Sequence, residues 1–401
     1  MTPCNGTLPG ALSRVVQPRL DVLCSGTPRE MGRAQGEALQ ERIQLAWATV
    51  LQLEAFQLMK TPILPLRAFR RFAAMRAYRF LMKAFADEKA GTATRDRLHG
   101  IAEGSGLDFS AICLLNALEP ALSDVSSMTH VPVSGACSAI AVTGSRSSTG
   151  LPLLAHNFDY LPIVQPLYTI RENRPTDGFR SLEFTAAPLV GTVDGVNEAG
   201  LAVTYNYGYG VDSSEPAPTI SMRIAEMLGQ FRLVPEAIEY LTRSRRWGGG
   251  LLMLGDAEGR IASVELTNTR SAVRFGLDNH DLLTHTNRFQ CRPTRDVELS
   301  RQSIYDHHAP IPLRNIRVHA SAESRDLRFE TLTTGRQFGL RDLQELLSDH
   351  GSDESPSSET LCMHSNYWHT TACLQLLPSE RAIRVHYGTA CQADFQEFRL
   401  H

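Results

Sequence analysis

The sequence predicts an α+β fold, and three observations predict it. Apolar residues recur at helical spacing before about residue 130, short β-rich runs separated by turn residues dominate after it, and helices and strands are grouped instead of strictly alternating. The 401 residues suffice for one large domain or two ordinary ones, and 42% hydrophobic with 21% charged residues is a globular composition.

The elements follow in order. Two amphipathic stretches, roughly 28–60 and 66–93, read as helices: "IQLAWATVLQLEAFQLM" carries the period and "TPILP" the break. "ATRDRLHGIAEGSGLDFSAICLLNALEP" reads as a helix pair, Gly104 and Gly106 stopping the first and Asp108 or Ser110 capping the second. From residue 137, "CSAIAVTG", "GLPLLAHNF", "SLEFTAA", "LVGTVDGVN", "GLAVTYNYG", "GGGLLMLGD", "RIASVELT" and "SAVRFG" predict strands, and "SSTG", "NEAG" and "DAEG" predict the turns between them. Helices are expected again at about 220–243, 294–307 and 340–349. The polar "DHGSDESPSSETLCMHSN" reads as a mobile loop, and "ACLQLLPSERAIRVHYG" closes the chain as a hairpin.

Composition also excludes functions. The formal net charge is −3, and arginine clusters such as "RAFRRFAAMRAYRF" are balanced by acids elsewhere, so no nucleic-acid partner is expected. No apolar run approaches the ~20 residues of a membrane span. The start "MTPCNGTLPGALSRVVQPRLDVLCSG" has no apolar segment behind a basic one, and a cytoplasmic location is expected. The eight cysteines (Cys4, Cys24, Cys113, Cys137, Cys291, Cys362, Cys373, Cys391) form no C-x-x-C pair, which predicts free thiols. His285, His307, His308 and His364 with Asp159 lack a fixed metal-site spacing, so no metal is expected. "RWGGGLLMLGD" lacks the strand, loop, helix order of a nucleotide fingerprint.

One cysteine stands apart. A lone cysteine beside a β-run is ordinarily a small buried hydrophobe. In "SGACSAIAV", however, Gly135 and Ala136 leave the preceding backbone open, while Ser138 and the apolar run hold Cys137 at the start of a strand. Were Cys137 N-terminal, its own α-amine, with an ordinary pKa of about 7.7–8.0, would serve as general base for its thiol.

With "LLAHNFDY" following, the chain resembles the linear-amide branch of the N-terminal-nucleophile hydrolases, and within it the acyl-coenzyme A:6-aminopenicillanate acyltransferase family. "GTPREMGRAQGEAL" and "LHGIAEGSGLDFSAICLLNALE" upstream, then "GVNEAGLAVTYN", "LTHTNRF" and "ELSRQSIY" downstream, follow the family's order. The resemblance implies a four-layer αββα fold and a precursor that cuts itself at Ala136–Cys137. The products would be a mainly helical α chain (residues 1–136) and a β-rich catalytic chain (137–401), together one domain. It implies no cofactor, a small-molecule amide or acyl donor as partner, and a coenzyme A thioester only as a candidate substrate.

The same resemblance assigns further residues. Asp159 would bond the α-ammonium or hold the nucleophile's strand, against a turn aspartate as the plain reading. Asn287 would donate to the oxyanion, and Arg301 would lower the thiol pKa or bind a carboxylate, oriented by Ser300; a solvated arginine on the helix at 294–307 is its alternative. Asn157, Phe158 and Asn206 are expected at the substrate, with Asn197 in a hairpin turn. Three departures stand out: Ala136 where the family carries glycine, which restricts the strain that assists an acyl shift; His156 beside the Asn-Phe-Asp; and "TNR" where a Thr-Asn-His is common. Hydrolysis and acyl transfer share one Cys137 thioester and stay undivided at this level, and a non-cleaving binding protein of the same fold is the alternative.

Overall fold

A computed structural model describes residues 17–60, 64–86, 91–129, 135–276, 281–307, 309–365 and 367–401. The first sixteen residues, most of "TPILP" and His308 lie outside the described residues. Strand β1 (Leu20–Gly26) is followed by helices α1 (Pro28–Ala38), α2 (Gln40–Thr49), α3 (Glu54–Leu58), α4 (Leu66–Ala86), α5 (Gly91–Ser105) and α6 (Phe109–Thr129). The expected 28–60 helix is thus three, broken at Leu39 and again around Leu53. Thr27 and Glu30 cap α1 reciprocally, with Pro28 in its first turn. Gly106, at φ +69°, ends α5, and the Asp108 side chain accepts from Ser110 N at the start of α6.

Gly104 does not stop a helix; it brings two together. A Cβ on Gly32 would stand 2.1 Å from Arg97 O, on Gly36 2.7 Å from Ile101 O, on Gly100 2.1 Å from Arg29 O and on Gly104 2.4 Å from Arg33 O. Glycines four apart on α1 and on α5 therefore set backbone against backbone. This gives a physical reason for both glycine motifs in the N-terminal half.

The remaining strands are β2 (Ala136–Val142), β3 (Leu153–Tyr160), β4 (Tyr168–Pro175), β5 (Ser181–Ala186), β6 (Asp194–Asn197), β7 (Ala202–Tyr207), β8 (Gly250–Gly255), β9 (Ile261–Leu266), β10 (Ser271–Phe275), β11 (Leu282–His285), β12 (His369–Leu377), β13 (Ala382–His386) and β14 (Gln396–Arg399). The helices among them are α7 (Ile220–Gln230), α8 (Val234–Arg243), α9 (Arg292–Arg295), α10 (Ala320–Thr333) and α11 (Leu340–Leu347). An eight-stranded sheet runs β1-β4-β5-β6-β7-β8-β9-β10, and a six-stranded sheet runs β11-β2-β3-β12-β13-β14. Every pairing is antiparallel except β1 with β4.

Side chains of the two sheets interleave, Ala141, Leu154, Leu374 and Val385 from the smaller with Ile170, Phe184, Val203 and Leu252 from the larger. On the outer face of the smaller sheet, Ile140, Val142 and Leu153 pack against Phe329 of α10 and Leu343, Leu346 and Leu347 of α11. Outside the larger sheet lie α7 and α8, and α1 and α5 over β4. The layers are α, β, β, α, as the sequence led us to expect.

The helix expected at 294–307 is a correction: only Arg292–Arg295 is helical. Beyond it the backbone makes only isolated turns and pairs with the segment after β7 (Leu299 N to Tyr209 O, Val211 N to Val297 O). Among the described residues no single helix is long and apolar enough to cross a membrane. Replacing Gly100 with Leu is expected to force α1 off α5 and cost about 1–3 kcal/mol, measured as a lower urea midpoint with unchanged m-value.

Candidate active site

β2 and β3 pair in register, Ala136 opposite Asp159 and Cys137 opposite Phe158. A Cβ on Gly135 would lie 1.5 Å from the Asp159 carbonyl oxygen, so only glycine lets β2 meet β3 there. Along β2, Ile140 and Val142 face the helices and Ala141 faces the other sheet. Cys137 shares the parity of Ala141 and faces the sheet interface, 3% exposed.

The backbone N–H and carbonyl of Cys137 are both held. Cys137 N–H donates to Asn287 Oδ1 at 2.7 Å, and Asn287 Nδ2 donates to Tyr207 O at 2.9 Å. Arg325, buried on α10, donates from Nη1 to the Cys137 carbonyl and to Ser138 Oγ (2.9 Å), and from Nη2 to Asn287 Oδ1 (3.1 Å). Asn287 thus presents its oxygen, not its NH₂, to the residue it was expected to serve. Asn206 Nδ2, on β7, donates to Thr286 O (3.0 Å) and so holds the neighbouring residue across the sandwich. Arg288, the last residue of "TNR", lies 3.7 Å from Asp326 and 3.8 Å from Glu323 on α10.

Electrostatics follow from burial. Burial pushes the Cys137 thiol well up, the Asp159 charge adds to this, and the Asp159 backbone N–H and Arg325 oppose it. Asp159, wholly buried, has its carboxyl pushed up to about 8 by desolvation, against the pull of Arg325 and of the Thr370 hydroxyl that donates to Oδ1. Its Oδ2 is buried without a hydrogen-bond partner.

A model of the acyl-coenzyme A:6-aminopenicillanic acid acyl-transferase family matches residues 145–390. The chain belongs to this family. The match begins at residue 145, so the Cys137 segment rests on the geometry above. Among solved structures, similarity extends to a Caenorhabditis elegans ortholog of N-acylethanolamine-hydrolyzing acid amidase (15% identity, 61% of this chain and 93% of that one, TM-score 0.39). A variant of conjugated bile acid hydrolase from Clostridium perfringens gives 14%, 66%, 97% and 0.40, and penicillin V acylase from Agrobacterium tumefaciens 14%, 63%, 83% and 0.34. No curated protein sequence matches.

Within this acyl-transferase family member, the expected residues do not all converge. Cys137, Asp159 and Asn287 come together, with Ala136 buried beneath Tyr207, Tyr209 and Trp368. Asn157 shares the strand face of Asp159, away from Phe158 and the cavity; its Nδ2 donates to Leu347 O and Leu361 O, both at 2.8 Å, and ties loop to strand. Ser300 and Arg301 are exposed on a turn, and the guanidinium at Cys137 is that of Arg325 instead. His156 is fully buried, its Nδ1 2.7 Å from Asp194 Oδ2 of the other sheet, so it pins the sheets together and does not face solvent. Arg325 sits in a Ser-Arg pair like that of Arg301, so the dipeptide could not choose between them, and Thr370 carried no motif.

Phe158 opens onto an apolar cavity of about 150 Å³, lined also by Tyr160, Tyr168, Phe184, Val50 and Leu115. Cys137 is not itself a lining residue, but it pairs with Phe158 across the β2–β3 register, and Phe158 lines this cavity. Its acid is Glu119, pushed up to about 7 by burial and bonded by Tyr205 Oη at 2.5 Å.

The raised Asp159 pKa has a defined sign. Between pH 4 and 8 the unfolded carboxyl is ionised while the folded one is protonated, so folding stability falls as pH rises through that window and levels off above it. In a Cys137→Ala background, Asp159→Asn is expected to raise Tm, by little at pH 4 and by most near pH 8, measured by calorimetry.

Proposed function

We propose that the chain is a self-processing cysteine amidohydrolase or N-acyltransferase of its family, with Cys137 as nucleophile and an apolar acyl group as substrate. The observation that carries it is the grip on Cys137: its nitrogen is held by Asn287, its carbonyl by Arg325, and its strand partner Phe158 lines the apolar cavity.

In processing, Cys137 Sγ attacks the Ala136 carbonyl, the C–S bond forms as the C–N bond breaks, and the thiol proton passes to the departing nitrogen. Asp159, with a carboxyl titrating near 8, is suited to move that proton. Water then attacks the thioester, leaving the Ala136 carboxylate, the free thiol and a new α-amine. Asn287 Oδ1, already accepting from the Cys137 nitrogen, would orient that amine as general base. In turnover the same thiol takes an acyl group, and water or an amine removes it. No cofactor is required by this sequence, and an acyl-coenzyme A thioester is one candidate donor. The cavity lining favours an apolar acyl chain.

Intact-mass measurement tests the first step: wild type is expected as two fragments divided at Ala136–Cys137, and Cys137→Ala as one chain. Wild type that stays whole overturns self-processing. Asp159→Asn is expected to slow processing roughly tenfold or more and to remove the inflection near pH 8. Mass spectrometry of the processed protein after exposure to N-acyl amino acids and acyl-coenzyme A thioesters should find an acyl adduct on Cys137; no adduct from any donor overturns the catalytic reading.

A further inference from the structure

On the outer side of the smaller sheet, three segments distant in sequence bring four metal-ligating side chains together. His350 follows α11, Cys362 and His364 precede β12, and Cys391 follows β13. One ligand atom from each lies within 4.8 Å of the other three. Cys362 Sγ is 3.4 Å and Cys391 Sγ 3.6 Å from the same His364 Nε2. In a tetrahedral zinc site with Zn–S near 2.3 Å and Zn–N near 2.0–2.1 Å, sulfur and nitrogen stand about 3.6 Å apart. His350 Nε2 is buried without a hydrogen-bond partner, and one imidazole nitrogen cannot hydrogen-bond to two thiols as donor to both.

We propose that His350, Cys362, His364 and Cys391 bind one structural Zn²⁺. Four protein ligands leave no open position, which makes the site structural and not hydrolytic. On binding, the Cys362 and Cys391 thiols each release a proton to solvent as their Zn–S bonds form, and the imidazoles bind neutral, so the site carries no net charge. Soft thiolates with imidazoles select zinc over magnesium or calcium.

The location gives the metal a purpose. Leu347 O and Leu361 O, next to two of the ligand segments, both accept from Asn157, two residues before Asp159. Met363, between Cys362 and His364, donates its N–H to Thr370 Oγ1 at 2.8 Å, and that hydroxyl donates to Asp159. A zinc ion would lock this long loop against the strand that carries Asp159.

The full chain, expressed with zinc and dialysed, is expected to hold about one zinc per chain by elemental mass spectrometry, and the Cys362→Ser/Cys391→Ser protein less than a tenth of that. Because that variant may lose its fold, wild type is also reconstituted with Co²⁺, where thiolate-to-cobalt charge-transfer bands and intense visible bands of a tetrahedral site are expected. Chelation should lower the melting temperature of both wild type and Cys137→Ala, which separates the metal from the chemistry at the nucleophile. The proposal is overturned by folded wild type that takes up no zinc, by equal zinc in folded wild type and double variant, by cobalt spectra without thiolate bands, or by a Cys362–Cys391 disulfide two hydrogens lighter in mass.

Discussion

One buried guanidinium organises the centre of this protein. Arg325 is 1% exposed, and a charge at that depth is tolerable only when its donors are satisfied. They are spent on the Cys137 carbonyl, Ser138 Oγ, Asn287 Oδ1 and, from Nε, Ser321 Oγ at 3.2 Å. A helix, the first residues of a central strand and the loop after β11 are thereby fixed to one cation. The next residue extends the clamp: Asp326 accepts from Thr286 Oγ1 at 2.7 Å. The same cation moderates Asp159 and the thiol, so geometry and electrostatics at the nucleophile share one source.

Other polar groups do comparable work elsewhere in the sandwich. His156 with Asp194 and Asn206 with Thr286 connect the two sheets across an otherwise apolar interface. Outside the larger sheet, Arg171 and Glu183 form a buried pair whose remaining donors reach Gln35 Oε1 and the carbonyls of Leu189, Val190 and Gly191. A buried pair of this kind contributes little net stability once desolvation is counted. It does fix α1 and the loop after β5 in one arrangement, and that loop supplies part of the cavity wall.

The sequence disclosed the short β-rich runs bounded by turn residues, for reasons visible in the packing. β2, β8 and β9 are mostly apolar or small runs, and the hairpin glycines Gly200 and Gly259 take φ +89° and +101°, which marks their turns. α10 escaped because its buried stripe, Ala322, Arg325, Phe329 and Thr333, is half polar and gives no apolar period. β4 escaped for a similar reason: Arg171 and Asn173 point to buried polar partners, so "YTIRENRP" looks solvated. Ser300-Arg301 and Ser324-Arg325 are the same dipeptide, and only the surrounding fold shows that the second arginine reaches Cys137.

The parallel pairing of β1 with β4 joins Leu20 to Ile170, and the contacts at Cys137 come from residues 287 and 325. Both facts concern order in time. On a ribosome the chain emerges from its first residue, and the Ala136–Cys137 peptide, the proposed cleavage point, is made long before the groups that grip it. A half-made or misfolded chain would present Cys137 without its holders, and its thiol would find no aligned carbonyl. Scission at Ala136–Cys137 would then act as a checkpoint, releasing the nucleophile only in molecules whose C-terminal half has already arrived.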